Sequence, residues 1–220
     1  MLDLTLYLVT DSGMTQRHGL DATVRGAVAG GASVVQLRDP DASDDEFVAL
    51  GRLVLGALRS SGVPLLLNDR VHLVEAVGAQ GAHVGQSDLD PVEARKILDR
   101  GVQGGAIGDD APRPYLGLSC TNLEQVEAAE RLPAGTVDYL GLGPGWATRT
   151  KADHKEPLGV EGITRLAGAA TLPTVAIGGI DVERAGLLRG CGTDGIAVVS
   201  AICATEDPES AARSLREVWT

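Results

Sequence analysis

Short apolar runs alternate with longer amphipathic stretches along the whole chain. The runs at 4–9, 33–37, 64–67, 82–84, 115–118, 139–142, 174–177 and 195–199 are rich in Leu, Val and Ile. Several are apolar at every position rather than every second one, which predicts parallel strands covered on both faces. Between them the helix signals are explicit. Ser43 with Glu46 and Thr121 with Glu124 read as capping boxes, and Asp90-Pro91 and Asp207-Pro208 place a capping carboxylate before a proline at the first helical position. Phe47, Leu50, Val54 and Leu58 then recur at helical spacing and give one apolar stripe for the sheet.

Glycine punctuates the returns: Gly30-Gly31, Gly78 to Gly81 and Gly190 to Gly195 each precede an apolar run, as a helix end and tight turn would. Eight strand–helix units in 220 residues leave about 27 residues each, enough for a (β/α)8 TIM barrel in a single domain over residues 1–220. A doubly wound open sheet shares the alternation, but all eight units are present and no second domain remains. Residues 101–114, rich in Gly and Asp and without periodicity, read as a loop insertion on the N-terminal face of the barrel.

Hydrophobic residues at 44% and charged residues at 22% argue against disorder. Aromatics at 3%, against 29 glycines, predict a core of Val, Leu, Ile and Ala. The net charge of −11 weighs against nucleic acid or an anionic membrane as partner, so any bound anion must be held by local groups. No apolar run approaches the roughly 18 residues that cross a bilayer. Met1 to Thr10 carries Asp3 and no basic flank, unlike a signal peptide. Cys120, Cys191 and Cys203 lack metal-ligand spacing and read as reduced thiols of a cytoplasmic protein.

Polar groups fall where the apolar runs end. Gln36 and Arg38 follow the second run, Asn68 and Asp69 the third, and Gln86, Ser87 and Asp88 the fourth. Ser119 follows the fifth, Thr148 to Lys151 lie beyond the sixth, Gly178-Gly179 follow the seventh and Ser200 the eighth. In a barrel all these ends open at one mouth, so the groups converge. Each also has a structural reading: Asn68-Asp69 or Ser200 as helix caps, Lys151 as a solvated charge, the four histidines as surface or strand-end side chains binding no metal. Asp90 caps better than Asp88, which leaves Asp88 without a structural task, and Trp146 is odd in a glycine-rich loop. Read together, Gly178-Gly179 and residues 195–200 form a phosphate site on backbone N–H groups. Asp69 and Asp88 suit one Mg²⁺ that holds a diphosphate, with Arg38 and Lys151 as cations and Gln36, Asn68 and Ser119 as neutral donors.

The segments Val35-Gln36-Leu37-Arg38-Asp39, Asn68-Asp69-Arg70-Val71, His83-Val84-Gly85-Gln86-Ser87-Asp88, Leu118-Ser119, Gly141-Leu142-Gly143-Pro144 with Thr148-Arg149-Thr150-Lys151, Ile177-Gly178-Gly179-Ile180 and Val199-Ser200-Ala201-Ile202 resemble, in this order, the thiamine phosphate synthase family. That family joins 4-amino-2-methyl-5-(diphosphomethyl)pyrimidine to a thiazole phosphate, releasing pyrophosphate. The resemblance implies that Gln36, Leu37, Arg38, Asp39, Pro40, Asn68, Ser119 and Lys151 contact the pyrimidine diphosphate, and that Asp69 and Asp88 hold Mg²⁺. It implies that Thr148, Arg149, Thr150, Gly179, Val199 and Ser200 bind the thiazole phosphate. Arg38, Ser119 and Lys151 are the expected catalytic groups. No nucleophile or general base is evident, and none is needed if diphosphate departs first to leave a stabilised pyrimidine methylene cation.

Pro40 stands where the family usually has Lys, with Arg149 as the candidate substitute, and Ala147 stands where proline is common. Three other readings compete. A thiazole tautomerase would carry a histidine soon after Ser119, where this chain reads Cys120-Thr121-Asn122. A non-catalytic precursor-binding paralogue would bind phosphate without Mg²⁺. A sugar-phosphate isomerase would need an acid/base pair at the mouth, for which no suitable histidine or strand-end glutamate is visible.

Overall fold

A computed structural model describes residues 2–103, 113–148 and 156–220. Its strands are β1 (Leu6–Val9), β2 (Val34–Leu37), β3 (Leu65–Asn68), β4 (Gly81–Val84), β5 (Tyr115–Cys120), β6 (Tyr139–Leu142), β7 (Thr174–Ile177) and β8 (Gly195–Val198). They pair in chain order, and β8 closes on β1 with Tyr7 opposite Ala197, all parallel. Closure leaves no sheet edge to protect. Each strand lies on an apolar run read from the sequence and differs from it only at the ends.

Helices α1 (Leu20–Ala29), α2 (Asp44–Leu58), α3 (Val74–Val77), α4 (Pro91–Gln103), α5 (Leu123–Glu130), α6 (Gly159–Ala169), α7 (Val182–Leu187), α8 (Ser200–Cys203) and α9 (Pro208–Trp219) form the outer ring. The start of α2 is the expected capping box: Ser43 Oγ accepts from Glu46 N, and Glu46 Oε2 accepts from Ser43 N at 2.8 Å. Asp207 accepts from Ser210 N before α9, and Asp90 from Val92 N and Glu93 N before α4. The Thr121/Glu124 box does not form. Asn122 caps α5 through Gln125 N at 2.9 Å, and Thr121 instead donates from its amide and hydroxyl to Gln125 Oε1. Asn is among the strongest N-caps, so the helix begins one residue later than the Thr reading placed it.

Helix α4 continues to Gln103, inside the stretch read as an inserted loop; residues 104–112 lie outside the described residues. Nearby, Arg95 is 5% exposed and pairs with Asp138 at 2.6 Å, while donating to the Thr136 and Pro114 carbonyls. Asp138 also accepts from Leu116 N, so this ionic cluster locks the N-terminal end of β5.

The core has two layers. Between sheet and helices it is aliphatic, with Leu37, Val54, Leu67, Val84, Leu116 and Ile163 all at 0% exposure. Inside the barrel Tyr7 and Tyr139, the largest fully buried side chains among the described residues, join Val9, Val34, Leu66 and Val175. The aliphatic expectation from composition therefore holds for most of the interior as well, with the exception of these two tyrosines. Because strand side chains alternate, residues two apart share a face. Gln36 follows inward Val34, Asn68 follows Leu66, and both reach the mouth.

Candidate functional site

At the C-terminal ends of the strands a pocket opens, lined by Gln36, Arg38, Asn68, Asp69, Ser119, Thr148, Gly179, Val199 and Ser200 together with Tyr7, His83, Val175 and Ile177. Nine of the residues singled out in the sequence thus meet in one place. Others do not. Leu37 is wholly buried on the outer face of β2. The Asp39 carboxylate accepts from Asp41 N, Ala42 N and Ser12 Oγ, which shapes the loop after β2, and Pro40 is exposed. Arg149, Thr150 and Lys151 lie outside the described residues.

Asp88 is exposed and does not line the pocket. Its Oδ2 accepts from Gly85 N at 2.8 Å and closes the turn after β4, so it does have a structural task that the sequence reading denied it. Gly85 itself lines the pocket. Asp69 has φ +60, a left-handed conformation uncommon outside glycine, and its amide donates to the His83 carbonyl at 2.9 Å. Asn68 Nδ2 donates to the Asp69 carboxylate. Neither residue caps the following turn, whose N-cap position is Arg70 without a side-chain bond. The Arg70 guanidinium lies 4.7 Å over the Phe47 ring and pairs with Asp44 at 2.6 Å, tying the loop after β2 to β3. Bonds from His72 and Arg70 hold the Asp44 carboxyl below the usual carboxylate range.

Across the mouth, Gly145 N and Trp146 N donate to the Ile177 and Gly178 carbonyls at 2.8 and 2.9 Å, stitching the loop after β6 to the glycine turn after β7. Gly179 has φ +64, and a Cβ there would lie 3.0 Å from both the Trp146 Cβ and the Ala147 carbonyl oxygen. Among the described residues its amide donates to no acceptor. Arg184 Nη1 donates to the Gly179 carbonyl at 2.5 Å, and its guanidinium lies 5.3 Å over the Trp146 ring. Trp146 is therefore the packing piece that holds the rim. Ser200 opens α8 as its first residue rather than capping it.

The sequence reading missed the floor of the pocket. Gln36 Nε2 donates to the Tyr7 hydroxyl at 2.6 Å, and Tyr7 Oη lies 2.9 Å from Tyr139 Oη. Tyr139 Oη lies 2.9 Å from His83 Nδ1, whose Nε2 lies 2.8 Å from Ser119 Oγ. Burial raises the pKa of both phenols well above the ordinary value, so each keeps its proton. A histidine does stand in the mouth, against the sequence expectation. Two signals could have found it: the even spacing that puts His83 on the inward face with Gly81, and two glycines inside neighbouring strands. Gly usually weakens a strand and marks a close approach. Here a Cβ at Gly117 would overlap the Tyr139 and His83 rings, and one at Gly141 would lie 3.1 Å from His83 Cε1.

Comparison with known proteins supplies the context for this geometry. The family model described as "Thiamine monophosphate synthase" matches residues 6–202. A thiamine-phosphate synthase of Azorhizobium caulinodans is 46% identical over 216 residues, 98% of this chain and 95% of that one. One of a Psychrobacter species is 45% identical over 212 residues, covering 96% and 93%. The solved thiamine phosphate pyrophosphorylase from Pyrococcus furiosus superposes with a TM-score of 0.83 at 31% identity, covering 99% of this chain and 96% of that one.

Proposed function

The chain belongs to the thiamine monophosphate synthase family, whose members are transferases, and from that premise we propose that it joins a 5-(diphosphomethyl)pyrimidine to a thiazole phosphate or its carboxylated precursor. The products are thiamine monophosphate and pyrophosphate, with carbon dioxide as a third product where the thiazole carries its carboxylate. The observation that carries the reading is the convergence, in one mouth, of Gln36, Arg38, Asn68 and Ser119 on one side and Gly179, Val199 and Ser200 on the other. Two anionic ligands need two such donor sets.

On this reading Arg38, Asn68, Ser119 and Lys151 bind the diphosphate, and Gln36 faces the pyrimidine. Thr148, Arg149, Thr150 and the Gly179 and Ser200 amides hold the thiazole phosphate. The C–O bond to diphosphate breaks with its electron pair leaving on oxygen. The thiazole nitrogen then adds its lone pair to the pyrimidine methylene carbon. Ser119 and the cations stabilise the charge that develops on the leaving group, and the shared pocket sets the approach of the two rings. Val9, Val175 and Ile177 line the same pocket and offer the two heterocyclic rings an apolar wall.

Asp69 and Asp88 would hold Mg²⁺. Asp69 lines the pocket, while Asp88 stands outside its lining in the turn after β4, whose Gly85 does line it. One carboxylate at the pocket and a second in the adjoining turn fit an ion that takes one or two carboxylates and completes its shell with water and phosphate oxygen. When bound, the ion supplies charge neutralisation on the diphosphate. The reading extends to a cytoplasmic enzyme of small-molecule substrates, in keeping with three buried, unpaired cysteines. Among the described residues no helix is long and apolar enough to cross a membrane.

The test is pyrophosphate release measured with Mg²⁺ and both precursors, then with each precursor omitted. Release is expected with both together. No product above the uncatalysed background rejects the proposal.

A further inference from the structure

We propose that Tyr139 and His83 are positioning residues that fix Ser119 as a hydrogen-bond donor to the departing diphosphate, an inference that rests on the reaction proposed above. The hydrogens of the pocket floor run in one direction. Gln36 presents its amide nitrogen to Tyr7 Oη, so that oxygen accepts and the Tyr7 hydrogen must go elsewhere. Tyr139 Oη at 2.9 Å receives it. Tyr139 then donates its own hydrogen to His83 Nδ1 at 2.9 Å. A neutral imidazole that accepts at Nδ1 carries its hydrogen on Nε2, which donates to Ser119 Oγ at 2.8 Å. The Ser119 hydroxyl hydrogen is left pointing along the chain of bonds into the pocket that Ser119 lines.

The opposite order would strand the Tyr7 hydrogen beside an amide N–H₂, in an interior where Tyr7 is 1% exposed. Burial, which keeps both phenols protonated, leaves each with one hydrogen to pass on. The arrangement is also built for: the rings of Tyr139 and His83 occupy space that a side chain at Gly117 would fill. One end of the chain is Gln36, facing the pyrimidine, and the other is Ser119, facing its leaving group. A single hydrogen-bond direction thus serves both ends of one substrate.

The experiment is a double-mutant cycle on pyrophosphate release, with Ser119→Ala, Tyr139→Phe and the double variant beside wild type. Ser119→Ala is expected to lower kcat on the order of a hundredfold, as loss of a transition-state donor does. Tyr139→Phe should lower kcat about tenfold with little change in KM for the pyrimidine diphosphate, because the interaction it supports is made in the transition state. In the Ser119→Ala background it should add less than about twofold, since the effect runs through Ser119. Equal losses in both backgrounds, an unchanged kcat, or a raised KM alone overturns the inference. Should Tyr139→Phe lose the native circular dichroism spectrum, Tyr7→Phe takes its place in the same cycle with the same criterion. An inactive wild type overturns the proposed reaction and this inference together, whereas additive losses in an active enzyme overturn the inference alone.

Discussion

Replacing Gly117 by Ala adds one methyl group at the most crowded point of the barrel interior. The new Cβ would overlap the Tyr139 ring and His83 Nδ1, and Tyr139 is 0% exposed, so its ring has no space to swing into. Overpacking of this kind costs about 1–3 kcal/mol. Pushing Tyr139 or His83 aside breaks a bond of the floor and leaves a buried polar group unsatisfied, a further cost of about 1–3 kcal/mol. The lower chain entropy of unfolded Ala returns roughly 0.5–1 kcal/mol. The net expectation is a loss of about 1–5 kcal/mol, or roughly 2–20 °C in Tm for a chain of this length. Urea denaturation followed by circular dichroism measures it, with the m-value as the check that both states are unchanged in extent. Gly56→Ala is the matched control: Gly56 lies within α2, and a Cβ there meets nothing within 4 Å. That substitution should stabilise by about 0.4–1 kcal/mol. A Gly117→Ala protein as stable and as active as wild type would show that the glycine does not make room for the two rings.

The turn after β4 gives a second expectation. In Asp88→Asn the amide oxygen can still accept from Gly85 N, so Tm should hold while the rate at limiting Mg²⁺ falls at least about tenfold; a full rate there removes Asp88 from the metal. For Arg184→Gln, loss of the Trp146 contact and the Gly179 bond, about 1–2 kcal/mol together, should raise KM for the thiazole phosphate roughly five- to thirtyfold, shift tryptophan emission and spare KM for the pyrimidine diphosphate. Equal changes in both KM values would deny Arg184 its role at one rim. Burial, with Glu130 adding to it for Cys120, pushes the Cys120 and Cys203 thiols up to about 12 from an ordinary 9.0. Between those values the folded chain binds more protons than the unfolded one, so stability falls as pH rises above 9, by up to about 1.4 kcal/mol per unit per thiol. Urea titrations at pH 8 and 10 should show a smaller drop for Cys120→Ala than for wild type, and identical drops would place that thiol outside the effect.

The barrel was legible because its strands are apolar on both faces, and such runs cannot be confused with amphipathic helices. Strand ends were legible too: parity puts Gln36 and Asn68 inside once Val34 and Leu66 are inside, as it puts Ser119 on the face of Gly117. What escaped was the part that depends on three-dimensional company. Asp88 reads the same in sequence whether it faces a metal or closes a turn with Gly85. Leu37 and Asp39 sit in the motif beside Gln36 and Arg38, yet alternation sends Leu37 outward and loop geometry occupies Asp39. His83 was passed over because one histidine in an apolar run carries no spacing signal. Its meaning came from Tyr139, 56 residues away, and from glycines in the two next strands.

The acidity of the chain sharpens how it must capture polyanions. With a net charge of −11 the long-range field repels a diphosphate, and Arg38, the described cation that lines the pocket, lies 3.8 Å from the Asp11 carboxylate. Capture then depends on contacts made at a few ångströms, through hydroxyls, amides and the Arg38 guanidinium. Such contacts in a partly enclosed pocket are screened less than the field over the open surface, where the Debye length falls to about 8 Å near 0.15 M salt. Added salt should therefore weaken the repulsion faster than it weakens the grip. The expected outcome is a kcat/KM for the pyrimidine diphosphate that stays level or rises between about 0.02 and 0.15 M salt at fixed free Mg²⁺. A fall of about tenfold over that range would mean that a basic surface steers the substrate in, and that the local donors are secondary to it.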